Sequence, residues 1–255
     1  MRKERINRED STVFEGMTSI RAAIDAAKRG DRSIIRVLYD EKRKKARDRE
    51  LSFLFAAGSE LGFDVVPATK EEIDGMTLGS SHGGVVALCS GRTIPPLDTS
   101  FIRENGFYVL IEGIEDPYNF GYAVRSIWAS GADGIVLPGR NWMSAAGVVC
   151  RSSAGASERI PMAEAKDAFS ACSLFKERGY RIVSAGIRDS VSACDADLSL
   201  PILLVIGGEK RGISRATLDI SDLVVRIDYG REFRGSLSTA SAATVLAFEV
   251  LRQNK

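Results

Sequence analysis

Residues Asn119–Leu137 read NFGYAVRSIWASGADGIVL, and the pattern of this stretch decides the fold. Just ahead lies the apolar run Tyr108–Ile111, which reads as a buried strand. Asn119 is a good helix N-cap, Ala123 with Ile127 and Val124 with Trp128 recur at helical spacing, and Gly131 marks the stop. A second apolar run, Ile135–Leu137, follows. The spacing predicts a strand–loop–helix–strand unit with the polar pair Asn119 and Arg125 at the mouth of its first strand. In open α/β sheets ligands bind outside the carboxyl ends of strands. Either Asn119 only caps and Arg125 only solvates a helix face, or the two serve a site.

Working toward the N-terminus, Val13–Arg29 is an amphipathic pattern, Ile34–Tyr39 and Phe63–Pro67 read as strands, Glu71–Gly75 as a short helix and Val85–Leu88 as another strand. This alternation predicts a small α/β sandwich of about a hundred residues. Lys42, Arg43, Lys44, Lys45, Arg47 and Arg49 crowd the start of the helix that carries Leu51, Leu54, Phe55 and Leu61. Such a cluster is either a solvated face, partly neutralised by Glu41, Asp48 and Glu50, or a patch that tracks phosphates. His82 sits in a Ser-Ser-His-Gly-Gly turn with no acidic or thiol partner close in sequence, as a structural histidine would. Ser90–Ser100 carries Pro95-Pro96 and no apolar period, and reads as a linker. The expected division is residues 1–94, a linker and approach at 95–105, and a second domain at 106–255.

Toward the C-terminus, Asn141–Pro161 is rich in Ser, Ala and Gly, residues that let backbones approach closely in a helix contact or around a ligand. Ala165–Arg178 reads as a helix, and Arg181–Ala185, Ile202–Ile206 and Leu223–Ile227 as strands. The continuous apolar run Ile202–Ile206 is typical of a buried parallel strand. A polar loop, Asp228–Gly235, leads through Ser236-Leu237-Ser238-Thr239 into a last helix ending near Arg252. Its stripe of Ala240, Ala243 and Ala247 permits close helix packing, at a subunit interface or in the core.

Composition bounds the chemistry. The 255 residues are 44% hydrophobic and 27% charged with a net charge of +1, so any nucleic-acid surface is a local patch on a nearly neutral body. No apolar run approaches a membrane span, and MRKERINRED lacks the apolar core of a signal peptide. Four scattered cysteines and one histidine lack metal-ligand spacing, and predict a reduced, cytoplasmic, metal-free protein. Gly207–Ser214 lacks the lysine of a phosphate loop, no G-x-G-x-x-G follows a strand, and no G-x-S-x-G elbow exists. What remains is three glycine-bearing turns, each closing a buried strand: Ala185-Gly186, Gly207–Gly212 and Ile227–Leu237. Backbone groups converging there can read an adenine edge without any signature side chain.

In order along the chain, Asn119, Gly121 and Arg125 match an Asn-x-Gly followed by a helical Arg. Ser153, Ala154, Gly155, Ala156, Glu158 and Pro161 match Ser-Ala-Gly-Ala-x-Glu-x-x-Pro. Gly207, Glu209 and Gly212 match Gly-x-Glu-x-x-Gly after a buried strand, and Ser236 and Leu237 match part of a Ser-Leu-Asn. With these motifs the chain resembles the SpoU/TrmH family of RNA ribose 2′-O-methyltransferases, in the SPOUT superfamily, over nearly its whole length. Its first hundred residues resemble the L30e-like substrate-binding domain of many members, including the His-x-Gly turn at His82 and Gly84.

The resemblance implies an α/β fold, a SPOUT domain with a deep trefoil knot preceded by a small L30e-like domain. It implies S-adenosylmethionine held by backbone at Gly207, Ile227 and Leu237, with Ala185 and Gly186 nearby. It also implies a homodimer that completes the site across its interface. The small-residue stripe of the last helix fits that role. Arg125 resembles the family's catalytic arginine. A free guanidinium is an awkward general base, so it is expected to anchor the phosphate beside the reacting ribose. Asn119, Glu209, Ser236 and Ser238 complete the expected catalytic set, and Lys42, Arg43, Lys44, Lys45, Arg231 and Arg234 the expected RNA contacts. There are two departures from the family: Ser238 stands for the Asn of its last motif, and Ile227-Asp228-Tyr229 for an Ile-Pro-Met. Ribosomal RNA is the expected substrate; transfer RNA, or an RNA-binding knot protein without catalysis, are the other readings.

Overall fold

The structure, a computed structural model, describes residues 12–43, 48–77, 82–114, 116–138 and 145–255. In chain order the first elements are β1 (Thr12–Glu15), α1 (Gly16–Lys28), β2 (Ile34–Asp40), α2 (Asp48–Leu61), β3 (Asp64–Ala68), α3 (Lys70–Asp74) and β4 (Val85–Cys89). Next come β5 (Phe107–Glu112), α4 (Pro117–Ala129), β6 (Gly134–Pro138), α5 (Ala146–Ser152), β7 (Met162–Ala165), α6 (Ala168–Glu177) and β8 (Arg181–Ala185). The last are β9 (Val191–Ser192), β10 (Ile202–Gly207), α7 (Arg215–Ile220), β11 (Leu223–Arg226) and α8 (Thr239–Gln253). Contacts sort the described residues into two compact units, one from those that fall within Met1–Thr93 and Trp142–Arg159, the other from those within Ile94–Asn141 and Ile160–Lys255.

The first unit holds a four-stranded sheet in the order β1-β4-β2-β3, in which only β2 and β3 are parallel. The amphipathic Val13–Arg29 is two elements rather than one: Thr12–Glu15 pairs with β4, and the chain turns at Gly16, where α1 begins. Phe14, Ile20, Ile24, Val37, Leu54 and Val85 form the core, and α5 adds Ala146 and Cys150. Close approach explains the small residues of this second segment. A Cβ on Gly147 would lie 2.1 Å from the Val13 carbonyl oxygen, and one on Gly155 would lie 2.7 Å from Ala22 Cβ. The Ser/Ala/Gly run therefore serves packing within this unit. Glu158 of the same run is buried and accepts two hydrogen bonds from Arg32, Nε at 2.7 Å and Nη2 at 3.1 Å. His82 is structural: Nε2 lies 2.9 Å from Asp74 Oδ1, and Nδ1 accepts the Gly84 amide at 3.0 Å.

The second unit is a seven-stranded sheet in the order β7-β6-β5-β10-β8-β11-β9, and every neighbouring pair is parallel. Parallel strands covered on both faces read as continuous apolar runs, as Ile202–Ile206 does. Alternation sends Tyr108, Leu110, Leu203 and Val205 to one face, where Phe175 and Tyr180 close the core. The rings of Tyr108, Phe175 and Tyr180 meet edge to face at 5.1–5.8 Å. α4 packs on α8, with Ala123, Val124 and Ile127 buried on one helix and Ala243, Leu246 and Ala247 on the other. Thr244 Oγ1 donates to Ser126 Oγ at 2.6 Å across this contact. The alanine stripe is thus core, and the apolar residues that α4 and α8 leave exposed are Tyr118, Tyr122, Trp128, Val245 and Phe248. Part of the expected linker joins this unit, since Glu164 donates to the Pro95 carbonyl and Leu97 donates to that of Glu164.

Candidate functional site

The carboxyl ends of β5 and β10 build the centre of the site. β10 ends at Gly207, and the chain folds back so that Gly212 donates to the Gly208 carbonyl at 3.0 Å. There is no room for a side chain at Gly207 or Gly208. A Cβ on Gly207 would lie 2.5 Å from the Gly212 carbonyl carbon, and one on Gly208 would lie 2.0 Å from the Gly113 oxygen beyond β5. The Gly208 amide donates to the Glu112 carbonyl at 2.7 Å, which fixes the loop to the neighbouring strand.

Glu209 projects from this turn and ties three segments together. Its Oε1 accepts from Asn119 Nδ2 at 3.1 Å and from the Thr239 amide at 3.4 Å. Thr239 is the first residue of α8, so the carboxylate faces the positive end of a helix dipole. The Thr239 hydroxyl donates to the Gly207 carbonyl at 3.0 Å, which closes the connection from the other side. Asn119 is not the cap of its helix. Asp116 is the N-cap, accepting the Asn119 amide at 2.7 Å, and Pro117 takes the first helical position. With the backbone capped by Asp116, the Asn119 amide group is free to reach Glu209. Ser238 is an N-cap, and its hydroxyl accepts the Ser241 amide at 3.2 Å. Asn and Ser are near equal as N-caps, so the change at this position preserves the start of α8.

Beside this tie lies a cavity of about 560 Å³, walled by Ala185 and Gly186 at the end of β8, Gly207–Glu209 at the end of β10, and residues between Val225 and Leu237 at the end of β11 and in the loop that follows. Ile206, Ala242 and Leu246 supply its apolar floor. The loop after β11 is held at two points. Arg226 Nε donates to Asp228 Oδ1 at 2.8 Å, and Arg226 Nη1 donates to the Ser190 carbonyl at 2.6 Å. The Ser192 hydroxyl, and then the Arg226 guanidinium, hold the Asp228 carboxyl below its ordinary value. Farther on, Tyr229 accepts the Leu237 amide at 3.2 Å and packs edge to face on Phe233 at 5.6 Å.

All five positions expected to hold a cofactor, Ala185, Gly186, Gly207, Ile227 and Leu237, line this one cavity, as do Glu209, Ser236 and Arg234. Asn119 reaches it through Glu209. Arg125 does not line it: the side chain is exposed on α4, with no hydrogen bond or ion pair to a described residue. Arg231 is exposed on the loop after β11, outside the wall. Lys42 is exposed in the short turn Glu41–Arg43 that follows β2, with its amide donating to Asp40 Oδ1. Arg43 ends the same short turn, and Lys44 and Lys45 lie outside the described residues. Thr239, Tyr229 and Phe233 were not among the expected site residues. Thr239 could be found from its place just after a capping serine; the two aromatics carry no local signal beyond the departure at Tyr229.

The profile of the SpoU rRNA Methylase family matches residues 106–248, more than half of the chain. Over 237 residues the chain is 28% identical to the putative TrmH family tRNA/rRNA methyltransferase YacO of Bacillus subtilis, covering 91% of this chain and 93% of that protein. It is 28% identical over 249 residues to a putative TrmH family tRNA/rRNA methyltransferase of Staphylococcus saprophyticus, covering 96% of each. Among solved structures, the AdoMet-bound rRNA methyltransferase from Sinorhizobium meliloti superposes with a TM-score of 0.78 at 24% identity, covering 95% of this chain and 87% of that one. The SpoU methyltransferase AviRb from Streptomyces viridochromogenes, in complex with AdoMet, superposes at 0.76 and 23% identity, covering 99% and 94%. At these identities the structural likeness is one of fold.

Proposed function

The chain belongs to the SpoU rRNA Methylase family of RNA methyltransferases, and on that premise we propose that it methylates a ribose 2′-hydroxyl of ribosomal RNA using S-adenosylmethionine. One observation carries the cofactor assignment: three strand-end turns, distant in sequence, converge on a single cavity through the five expected backbone positions. A volume of about 560 Å³ lies within the usual range for small-molecule sites. Apolar walls with backbone polar groups at Gly186, Gly207 and Leu237 suit an adenosine that is read by its edge. When bound, the cofactor supplies an electrophilic methyl group.

The chain's residues do the rest. Glu209 holds the cofactor turn, the start of α8 and Asn119 in one arrangement. Arg125 binds the RNA phosphate next to the reacting ribose and orients the 2′-hydroxyl, while Ser236 contacts the ribose. Because Arg125 is exposed and stands outside the cavity of its own chain, it acts on the cofactor of a second copy. The exposed Tyr118, Tyr122, Val245 and Phe248 of α4 and α8 support that homodimer. Around Gly208, whose backbone packs directly on Gly113, the chain forms the trefoil knot. The first unit is an L30e-like RNA-binding domain that uses the basic cluster from Lys42 to Lys45, with Arg231 and Arg234 adding contacts at the cavity mouth. Among the described residues no helix is long and apolar enough to cross a membrane, and the RNA substrate assigns the protein to the cytoplasm.

The test is transfer of a labelled methyl group to ribosomal and transfer RNA fractions, followed by mapping of ribose methylation through resistance to alkaline cleavage. Labelled ribosomal RNA, together with an Arg125→Ala variant that binds cofactor but does not turn over, is the expected result. Cofactor binding with no ribose methyl in any fraction would sink the enzymatic reading; label in transfer RNA alone would move the substrate.

A further inference from the structure

We infer that the Tyr229 hydroxyl donates a hydrogen bond to an adenine ring nitrogen of the cofactor, making Tyr229 a cofactor-binding residue. The inference rests on the cofactor reading above and adds a side-chain contact to a site otherwise made of backbone. Tyr229 stands where the resembled motif has methionine, a side chain with no hydrogen to donate. A phenol oxygen accepts and donates. Here its acceptor side is taken by the Leu237 amide at 3.2 Å, and no described residue takes its proton. Both Tyr229 and Leu237 line the cavity, so the remaining donor belongs to a wall that meets the ligand.

The ring is held in place before any ligand arrives. Phe233 packs edge to face on it at 5.6 Å with an interplanar angle of 68°. Phe233 in turn lies on the backbone of Gly235, where a Cβ would stand 2.7 Å from the ring's Cζ. A donor fixed in this way loses little freedom on binding, which is how preorganised groups gain affinity. The Leu237 amide orients the oxygen from behind, so the O–H is directed away from it. Ile187, Phe233 and Leu246 add apolar surface on the same wall. A flat heteroaromatic ring with acceptor nitrogens can pack on that surface and accept the hydroxyl proton together.

Calorimetric titration of S-adenosylhomocysteine and of adenosine into the wild-type chain, Tyr229→Phe and Phe233→Leu tests this. Adenosine lacks the amino-acid end, so it isolates the contact to the base. Tyr229→Phe removes the bond to the base and the one accepted from the Leu237 amide, and is expected to weaken both ligands by the same factor, about 2- to 12-fold for each neutral hydrogen bond lost. Phe233→Leu, which frees the ring but keeps the hydroxyl, should give a smaller loss for both. Equal affinities for wild type and Tyr229→Phe overturn the inference while leaving the cofactor reading intact. A loss confined to S-adenosylhomocysteine overturns the adenine assignment. A wild-type chain that binds neither ligand overturns the cofactor reading itself. Thermal midpoints measured on the same samples show whether each variant is folded under the titration conditions.

Discussion

Replacing Glu158 by Gln removes the only acidic partner that Arg32 has among the described residues and leaves a buried guanidinium facing a neutral amide. The pair is fully desolvated, with 0% of the Arg32 side chain and 3% of the Glu158 side chain exposed. Its geometry is a fork, with Nε 2.7 Å from Oε2 and Nη2 3.1 Å from Oε1, and the guanidinium also lies 4.6 Å from the Phe14 ring centroid. Such a pair adds little over an apolar replacement, yet breaking it from one side costs about 3–5 kcal/mol because the remaining charge stays buried. With a urea slope of about 2 kcal/mol per molar, a loss of about 4 kcal/mol moves the unfolding midpoint down by about 2 M. The chain has two units, so the assay must report the first one alone. Cys150 is suited to this: it is buried in that unit's core, and burial raises its thiol pKa well above normal. Alkylation of Cys150 against urea, read by mass spectrometry, then follows the opening of this unit. The double variant Arg32→Met with Glu158→Leu should regain most of the loss. A midpoint shift for Glu158→Gln below about 0.5 M, or a double variant as unstable as the single one, would refute the reasoning.

Gly208→Ala places a methyl group 2.0 Å from the Gly113 oxygen, a backbone atom with no room to yield. It should cost about 2 kcal/mol or more and abolish cofactor binding, and normal affinity by calorimetry would contradict it. Glu209→Ala releases Asn119 and the Thr239 amide together and should lower kcat by about 100-fold in labelled methyl transfer, whereas Glu209→Gln, which keeps the accepting oxygen, should lose far less. Turnover of the alanine variant within twofold of wild type would show that the tie is not needed. Asp167 caps α6, and its pKa is lowered by the Ser170 amide and then by the Ser170 hydroxyl. Because the folded value is the lower one, the stability it contributes is complete above the unfolded value near 4 and is lost as pH falls through the folded value. Asp167→Asn keeps a capping oxygen and should flatten that part of the acid limb of a thermal-midpoint profile. A limb identical to wild type would show that the cap does not titrate in this range.

What was legible in the sequence was what repeats locally. Ile202–Ile206 and Tyr108–Ile111 announce buried strands because a two-sided parallel sheet leaves them no polar face, and both lie side by side at the centre of the seven. β1 and β7 escaped because Thr-Val-Phe-Glu and Met-Ala-Glu-Ala hold no continuous run of large apolar residues, whereas the equally short β11 shows Leu-Val-Val. β1 also runs straight into a helix whose pattern it continues. The start of α4 was misplaced because Asn119 is a fair cap, but Asp116-Pro117 is a better one, with a carboxylate to accept the amide and a proline that has none to offer. The strand-end turns could be named as separate features, and their glycines pointed to close backbone approach, but no local pattern encodes the 90-residue separation between Asn119 and Glu209. That contact exists because β5 and β10 are neighbours in the sheet, so the loops that leave their carboxyl ends must meet. The same logic separates the roles of the matched motifs. Glu209 stands at a strand end and joins three segments around a cavity, whereas Glu158, equally prominent in its motif, is turned inward on Arg32. A carboxylate in the second setting stabilises a fold. One in the first setting, exposed and facing a helix N-terminus, joins three segments beside the cavity and is the one that the proposed function needs.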